Sequence, residues 1–144
     1  MLADKPPEDF EIANFIYGPS YISLESALSF YGIIDQFPYQ ILSLTLKRTK
    51  SFMIGKKIFV YAHIKPEFFR DYRREDNYLI ATPEKSLFDF LYLVYKGGRP
   101  KGNLILLRPD KVNLDKTKLA NYINQLVQKQ DQKFFKFCQN QNII

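Results

Sequence analysis

One cysteine and one histidine stand in this chain of 144 residues. Cys138 has no second thiol to join, so an internal disulfide is excluded. That fits a reducing, cytoplasmic setting. With His63 alone and no cysteine pair, a structural zinc site is not expected, and no motif calls for a cofactor. No run of eighteen apolar residues occurs, so neither a transmembrane helix nor a membrane partner is expected. The opening Met-Leu-Ala-Asp-Lys-Pro-Pro lacks the apolar stretch of a signal peptide.

What is present is aromatic and basic. Thirteen Phe and ten Tyr supply a core for about one domain, spanning residues 1–144. The net charge of +6 is unevenly spread. Residues 1–46 hold six acids and one base, residues 47–57 five bases and no acid, and residues 96–118 seven bases and two acids. Such asymmetry speaks of partners, either an acidic protein surface or a nucleic acid. A solvated basic face is the plain alternative.

The strongest element is Ala81–Lys96. Thr82 offers a capping hydroxyl, and Pro83 suits the first helical position, where its missing N–H costs nothing. Leu87, Phe90, Leu91 and Val94 recur at helical spacing, and Phe88, Tyr92 and Tyr95 form a second apolar face. A helix apolar on most sides is buried on most sides, so a central core helix is predicted near 83–96, ended by Gly97 and Gly98.

Around it the chain reads as follows. Residues 1–9 are expected to be a linker or a flexible N-terminus. A short helix from Glu8 carries an apolar stripe of Ile12, Phe15 and Ile16. Ser20–Gly32 is a second amphipathic helix with Ser23 as its cap. Ile41–Leu46 alternates with period two, as a half-buried strand does. Ser51–Ile54 and Ile58–His63 form a hairpin around Gly55-Lys56-Lys57. Lys65–Tyr72 is a crossover, Arg73–Asn77 a charged turn, and Tyr78–Ala81 a strand. Leu104–Leu107 is predicted as a short strand. Asn113 or Asp115 caps a helix lined by Leu119, Tyr122, Ile123 and Leu126, and Lys133–Gln139 puts Phe134, Phe137 and Cys138 on one side. Helices, then strands, then helices argue for an α+β fold with a small, mainly antiparallel sheet.

Few residues promise chemistry. His63 lies in phase with Phe59 and Tyr61 at a strand end. It reads as structural, or as a contact residue beside Lys65. Cys138 on an apolar stripe reads as a core thiol. The loop GGRPKGN lacks the spacing of a phosphate loop and follows a helix where such a loop precedes one. Arg99 and Lys101 still make it basic. Lys85 and Asp89 are helical neighbours and suit a simple pair. Asp89 is nonetheless the one acid of an apolar stretch and wants a partner or a role. Lys47, Arg48, Lys50, Lys56 and Lys57 with Phe52 form a candidate nucleic-acid surface that would bind weakly and with salt sensitivity.

Three stretches together resemble the AbiEi-type antitoxins of type IV toxin–antitoxin systems, bacterial abortive-infection elements of phage defence. They are YGPSYISLESALSFYGII (Tyr17–Ile34), FVYAHIKPEFF (Phe59–Phe69) and IATPEKSLFDFLYL (Ile80–Leu93), with the basic LTLKRTKSFMIGKK (Leu44–Lys57) between the first two. The resemblance covers roughly Phe10 to Tyr95. It implies an antitoxin domain that counteracts a nucleotidyltransferase-like toxin encoded by the neighbouring gene. Family members usually carry an N-terminal winged helix-turn-helix that binds their own promoter. Here the block begins near residue 10, so sequence-specific DNA binding is not expected of these residues.

Tyr21, Ser23, Glu25, Lys47, Arg48, His63, Lys65, Glu84, Lys85 and Asp89 are the positions that match. No catalytic role attaches to them, and Ser23, Glu84 and Lys85 suit fold-holding roles. The expected partner surface is Lys47, Arg48, His63, Lys65 and Lys85. A convergence of Glu25, His63, Lys85 and Asp89 in one pocket would favour an enzyme; without it, a binding module is the expected class. The alternative is a basic nucleic-acid-binding or regulatory domain using Lys50, Lys56, Lys57, Arg99 and Lys101.

Overall fold

The computed structural model describes residues 7–36, 38–108, 113–127 and 132–140. Most of the expected N-terminal linker lies outside these residues, and from Pro7 the chain is already helical. The helices are α1 (Pro7–Ile16), α2 (Leu24–Tyr31), α3 (Pro83–Lys96), α4 (Lys116–Val127) and α5 (Gln132–Asn140). The strands are β1 (Ser20–Ile22), β2 (Gln40–Thr45), β3 (Lys50–Ile54), β4 (Lys57–His63), β5 (Tyr72–Glu75) and β6 (Tyr78–Ala81).

The strands form one six-stranded sheet in the order β3-β4-β2-β1-β6-β5. The pairs β3–β4, β1–β2 and β5–β6 are antiparallel. The joins β2–β4 and β1–β6 are parallel. The fold is therefore α+β on a mixed, mainly antiparallel sheet.

Because side chains alternate across a strand, the sheet has two apolar faces. One collects Phe10 and Ala13 of α1 with Ile22, Ile41, Phe59, Tyr61, Tyr78 and Ile80. The other joins Tyr21, Leu42 and Leu44 to the apolar faces of α3, α4 and α5. α2 serves both, giving Ala27 to the first and Leu24 and Leu28 to the second.

α3 forms as its sequence dictates. Thr82 Oγ1 accepts a hydrogen bond from the Lys85 N–H at 3.3 Å, and Pro83 opens the helix. Gly97 closes it at φ +90°, a conformation that costs glycine little, and its N–H bonds the Val94 carbonyl. All residues from Glu84 to Leu91 are buried.

Five expectations change. β2 is buried on both faces, with Ser43 and Thr45 as closed to solvent as Leu42 and Leu44, because β2 lies between two other strands beneath helices on both sides. The α1 stripe holds only at Ile16, which packs against the first face; Ile12 is 39% and Phe15 89% exposed, and Phe10 and Ala13 turn inward instead. That face also carries Asp9, whose carboxylate accepts from Lys57, and Asn14, whose Oδ1 accepts from the Leu79 N–H. Ser20–Ile22 is a strand, not the start of α2. Tyr72–Glu75 is an edge strand where a charged turn is expected; its polar side chains hide the pattern and β6 supplies the pairing.

The fifth is Leu104–Leu107, which forms no strand. Lys101–Leu106 is a 3₁₀ helix closed by local bonds such as Asn103 N–H to Pro100 O, and its leucines pack on the α3 side of the core. Of the α4 stripe, Leu119, Tyr122 and Ile123 are buried, while the Leu126 side chain lies outside the described residues. Asp115 caps α4 through Lys118 N–H at 3.1 Å.

Candidate functional site

The first and third of the three stretches of the family resemblance meet at one buried polar network, and the middle one packs against it. Lys85 and Asp89, one helical turn apart on α3, pair at 2.5 Å with both side chains closed to solvent. The second Asp89 carboxylate oxygen accepts from Tyr21 Oη at 2.9 Å and from Ser23 Oγ at 2.8 Å. The Lys85 ammonium also donates to Tyr21 Oη at 2.9 Å. Phe69, from the middle stretch, lies edge-on to the Tyr21 ring, with centroids 5.1 Å apart.

Burial pushes the Asp89 carboxyl above its ordinary value, against the pull of the Lys85 ammonium and the two hydroxyls. Burial likewise drives the Tyr21 hydroxyl well above the usual phenol value, and the Asp89 charge adds to it. The bond that Ser23 makes to Asp89 replaces the expected cap: its side chain makes no capping bond to α2. This network joins β1 to α3 and holds the interior together. Lys85 therefore leaves the predicted partner surface, because its ammonium meets no solvent.

Glu25 belongs to a separate group. Its carboxylate accepts two bonds from Arg99 Nε, at 3.0 and 3.1 Å, and one from Arg99 Nη2 at 2.7 Å. Asn103 Nδ2 adds a fourth at 2.8 Å. The forked guanidinium suits a carboxylate in this way. Glu25 thus ties the basic loop after α3 to α2. Glu84 does similar work at the other end of α3, accepting the Asp115 N–H at 2.9 Å.

The exposed charge lies elsewhere. Leu46, Lys47, Arg48, Thr49 and His63 line an open cleft of about 480 Å³ where β2 leaves the sheet and β4 ends. The His63 ring nitrogen Nδ1 lies 3.0 Å from the Lys47 carbonyl. A carbonyl only accepts, so Nδ1 carries the proton and Nε2 is left to others. The His63 N–H bonds Thr49 Oγ1 at 3.0 Å, and Tyr17 Oη donates to the Arg48 carbonyl at 3.1 Å. The Lys47 ammonium lies over the Tyr17 ring at 4.9 Å, and that of Lys50 over Phe52 at 5.0 Å.

The structure thus brings Lys47, Arg48 and His63 around one cleft. Lys65 is exposed two residues beyond β4, at the start of a 3₁₀ turn. Of the alternative nucleic-acid set, Lys50 and Lys56 stay on the exposed β3–β4 hairpin and Lys101 opens the 3₁₀ helix after α3. Lys57 is drawn to Asp9 at 2.5 Å, and Arg99 to Glu25. Glu25, His63 and the Lys85–Asp89 pair sit in three distinct hydrogen-bonded groups, so the single-pocket convergence is not formed.

Reading along the chain missed the partners of Glu25, which lie 74 and 78 positions away and leave no local pattern. Tyr17, which anchors the floor of the basic face, was visible only as part of a family stretch. Cys138 is buried as expected, and burial pushes its thiol up to about 12. Among the described residues no group of acids, histidine and cysteine is placed to hold a metal. No helix of the described residues is long and apolar enough to cross a membrane. No family model, curated protein or solved structure matches this chain.

Proposed function

We propose that this chain is a protein-interaction module: the antitoxin domain of a type IV toxin–antitoxin system, counteracting a nucleotidyltransferase-like toxin. The motif resemblance supplies the family. The observation that carries the mode of action is the exposed basic charge of the β2–β3 connection and the β3–β4 hairpin. Lys47, Arg48, Lys50 and Lys56 have no carboxylate partner among the described residues. Of the other bases singled out as sites, Lys57, Lys85 and Arg99 are neutralised by acids of the chain itself. Charge left unpaired at the surface is charge available to an acidic partner.

A nucleic acid would also meet this face. The aromatic side chains there favour protein. Bases bind through exposed ring faces, but Tyr17 and Phe52 are half-buried and lie beneath Lys47 and Lys50.

Co-expression with the neighbouring gene tests the reading, with growth and co-purification as readouts. Rescue with a co-purifying partner is the expected result. Rescue without a complex would replace direct binding by indirect antagonism. Absence of both toxicity and rescue removes the antitoxin reading, and salt-dependent binding of a single-stranded oligonucleotide then tests the other.

A further inference from the structure

The sheet has two edges, and they are finished differently. Around β5 two ion pairs form, Arg73 with Glu75 at 3.3 Å and Arg70 with Asp71 just before the strand, while the exposed Arg74 joins neither. At β3 the one charge, Lys50, has no carboxylate partner among the described residues. β3 bonds only β4, in the register Lys50↔Tyr61 to Ile54↔Lys57. The turn between them has two residues, Gly55 and Lys56, with Gly55 at φ +62°. A glycine of positive φ at the first turn position is the signature of a type II′ hairpin, whose flanking pair exchanges hydrogen bonds. Ile54–Lys57 is that pair. By alternation Phe52–Phe59 and Lys50–Tyr61 also bond across, and the amides and carbonyls of Ser51 and Met53 point outward.

Free edges are usually blocked by proline, bulges or inward charge. β3 has no proline, and Met53 and Ile54 stand 72% and 49% exposed. Its basic residues sit at its start and at its turn. A second copy of the chain is a poor occupant, since pairing β3 with β3 would bring like charges together, which destabilises a sheet.

We propose that β3 is a docking edge, and that an acidic extended segment of a partner protein adds to the sheet there as a seventh strand. This rests on the interaction-module reading and gives it a surface. Ser51 and Met53 offer the backbone bonds. The added strand places carboxylates on the face shared with Lys50 and apolar side chains on the face shared with Met53. Backbone pairing supplies affinity, and the alternating side chains supply choice.

A ten-residue peptide alternating valine and glutamate is the probe, and its valine–lysine counterpart is the control. Hydrogen exchange in the full chain is the readout. The glutamate peptide is expected to slow exchange of the Ser51 and Met53 amides about tenfold, and the lysine peptide to leave them unchanged. Met53→Pro removes one outward N–H that bonds nothing in the fold, and should abolish the effect. The pair Lys50→Glu and Lys56→Glu leaves the backbone intact and should reverse the preference between peptides. Equal slowing by both peptides, slowing that survives Met53→Pro, or no slowing at all overturns the docking edge. Co-purification that persists in Met53→Pro, with no peptide effect, sinks the edge and spares the module. A peptide effect with no co-purifying partner does the reverse.

Discussion

Lys85 and Lys50 are the same side chain in opposite settings. Lys85 sits on α3 among Leu87, Phe88 and Leu91, with its carboxylate supplied four residues on and the Tyr21 hydroxyl delivered by β1. Lys50 begins an edge strand, flanked by bases and facing solvent over Phe52. The first charge is neutralised inside the molecule and serves the fold. The second is left for another molecule. The contrast shows that charge in a sequence becomes informative only with its partners.

Breaking the interior side has the largest expected effect. Lys85→Met leaves Asp89 as a buried charge without its cation, and such losses cost about 3–5 kcal/mol. Urea denaturation should show that drop. Adding Asp89→Leu should recover much of it, since an apolar pair of similar volume is often neutral to stability. If the double variant were no better than the single, the ion pair would not be what the interior depends on.

Alkaline pH probes the same interior next. Burial raises the hydroxyls of Tyr21, Tyr31, Tyr61, Tyr78 and Tyr122 above the ordinary 10, those of Tyr31 and Tyr122 to about 12. The unfolded chain releases these protons near pH 10 while the folded chain keeps them. The unfolded state then binds fewer protons, so stability is full below pH 10 and falls as pH rises toward 12. Denaturation midpoints at pH 9 and pH 11 should differ accordingly, and Tyr61→Phe should flatten the slope.

Between interior and surface stands Arg99. Arg99→Ala leaves the Glu25 carboxylate with Asn103 alone, and losing bonds to a charged group costs about 2 kcal/mol. A thermal melt reads it. The smallest stability effect belongs to the exterior: Lys47→Glu with Arg48→Glu should stay within about 0.5 kcal/mol while abolishing co-purification with the proposed partner. A large loss of stability there would erase the distinction between the two sides.

What was legible along the chain is what local physics fixes. Thr82, Pro83 and Gly97 bound α3, and Gly55 turns the β3–β4 hairpin, because caps and turns depend on neighbouring residues. β1 has three residues, too few to show a period, and β5 takes its form from β6. Phe15 was misplaced because apolar spacing cannot tell which side of α1 will find partners for Asp9 and Asn14. At the site, the basic run of 47–57 was legible as a surface. The burial of Lys85 was not, since a pair four residues apart looks alike on a wet helix and inside a core.

The span of the buried network bears on how the chain is made. Tyr21 and Asp89 are 68 residues apart. A ribosome adds about 5–20 residues per second, so roughly 3 to 14 s separate the two during synthesis. A hairpin such as β3–β4 closes in about 1–10 μs. Through those seconds β1 lacks β6, and Tyr21 and Ser23 wait for an acceptor that does not yet exist. The pace of elongation past Asp89, and not the speed of hairpin closure, sets when the nascent protein seals its interior.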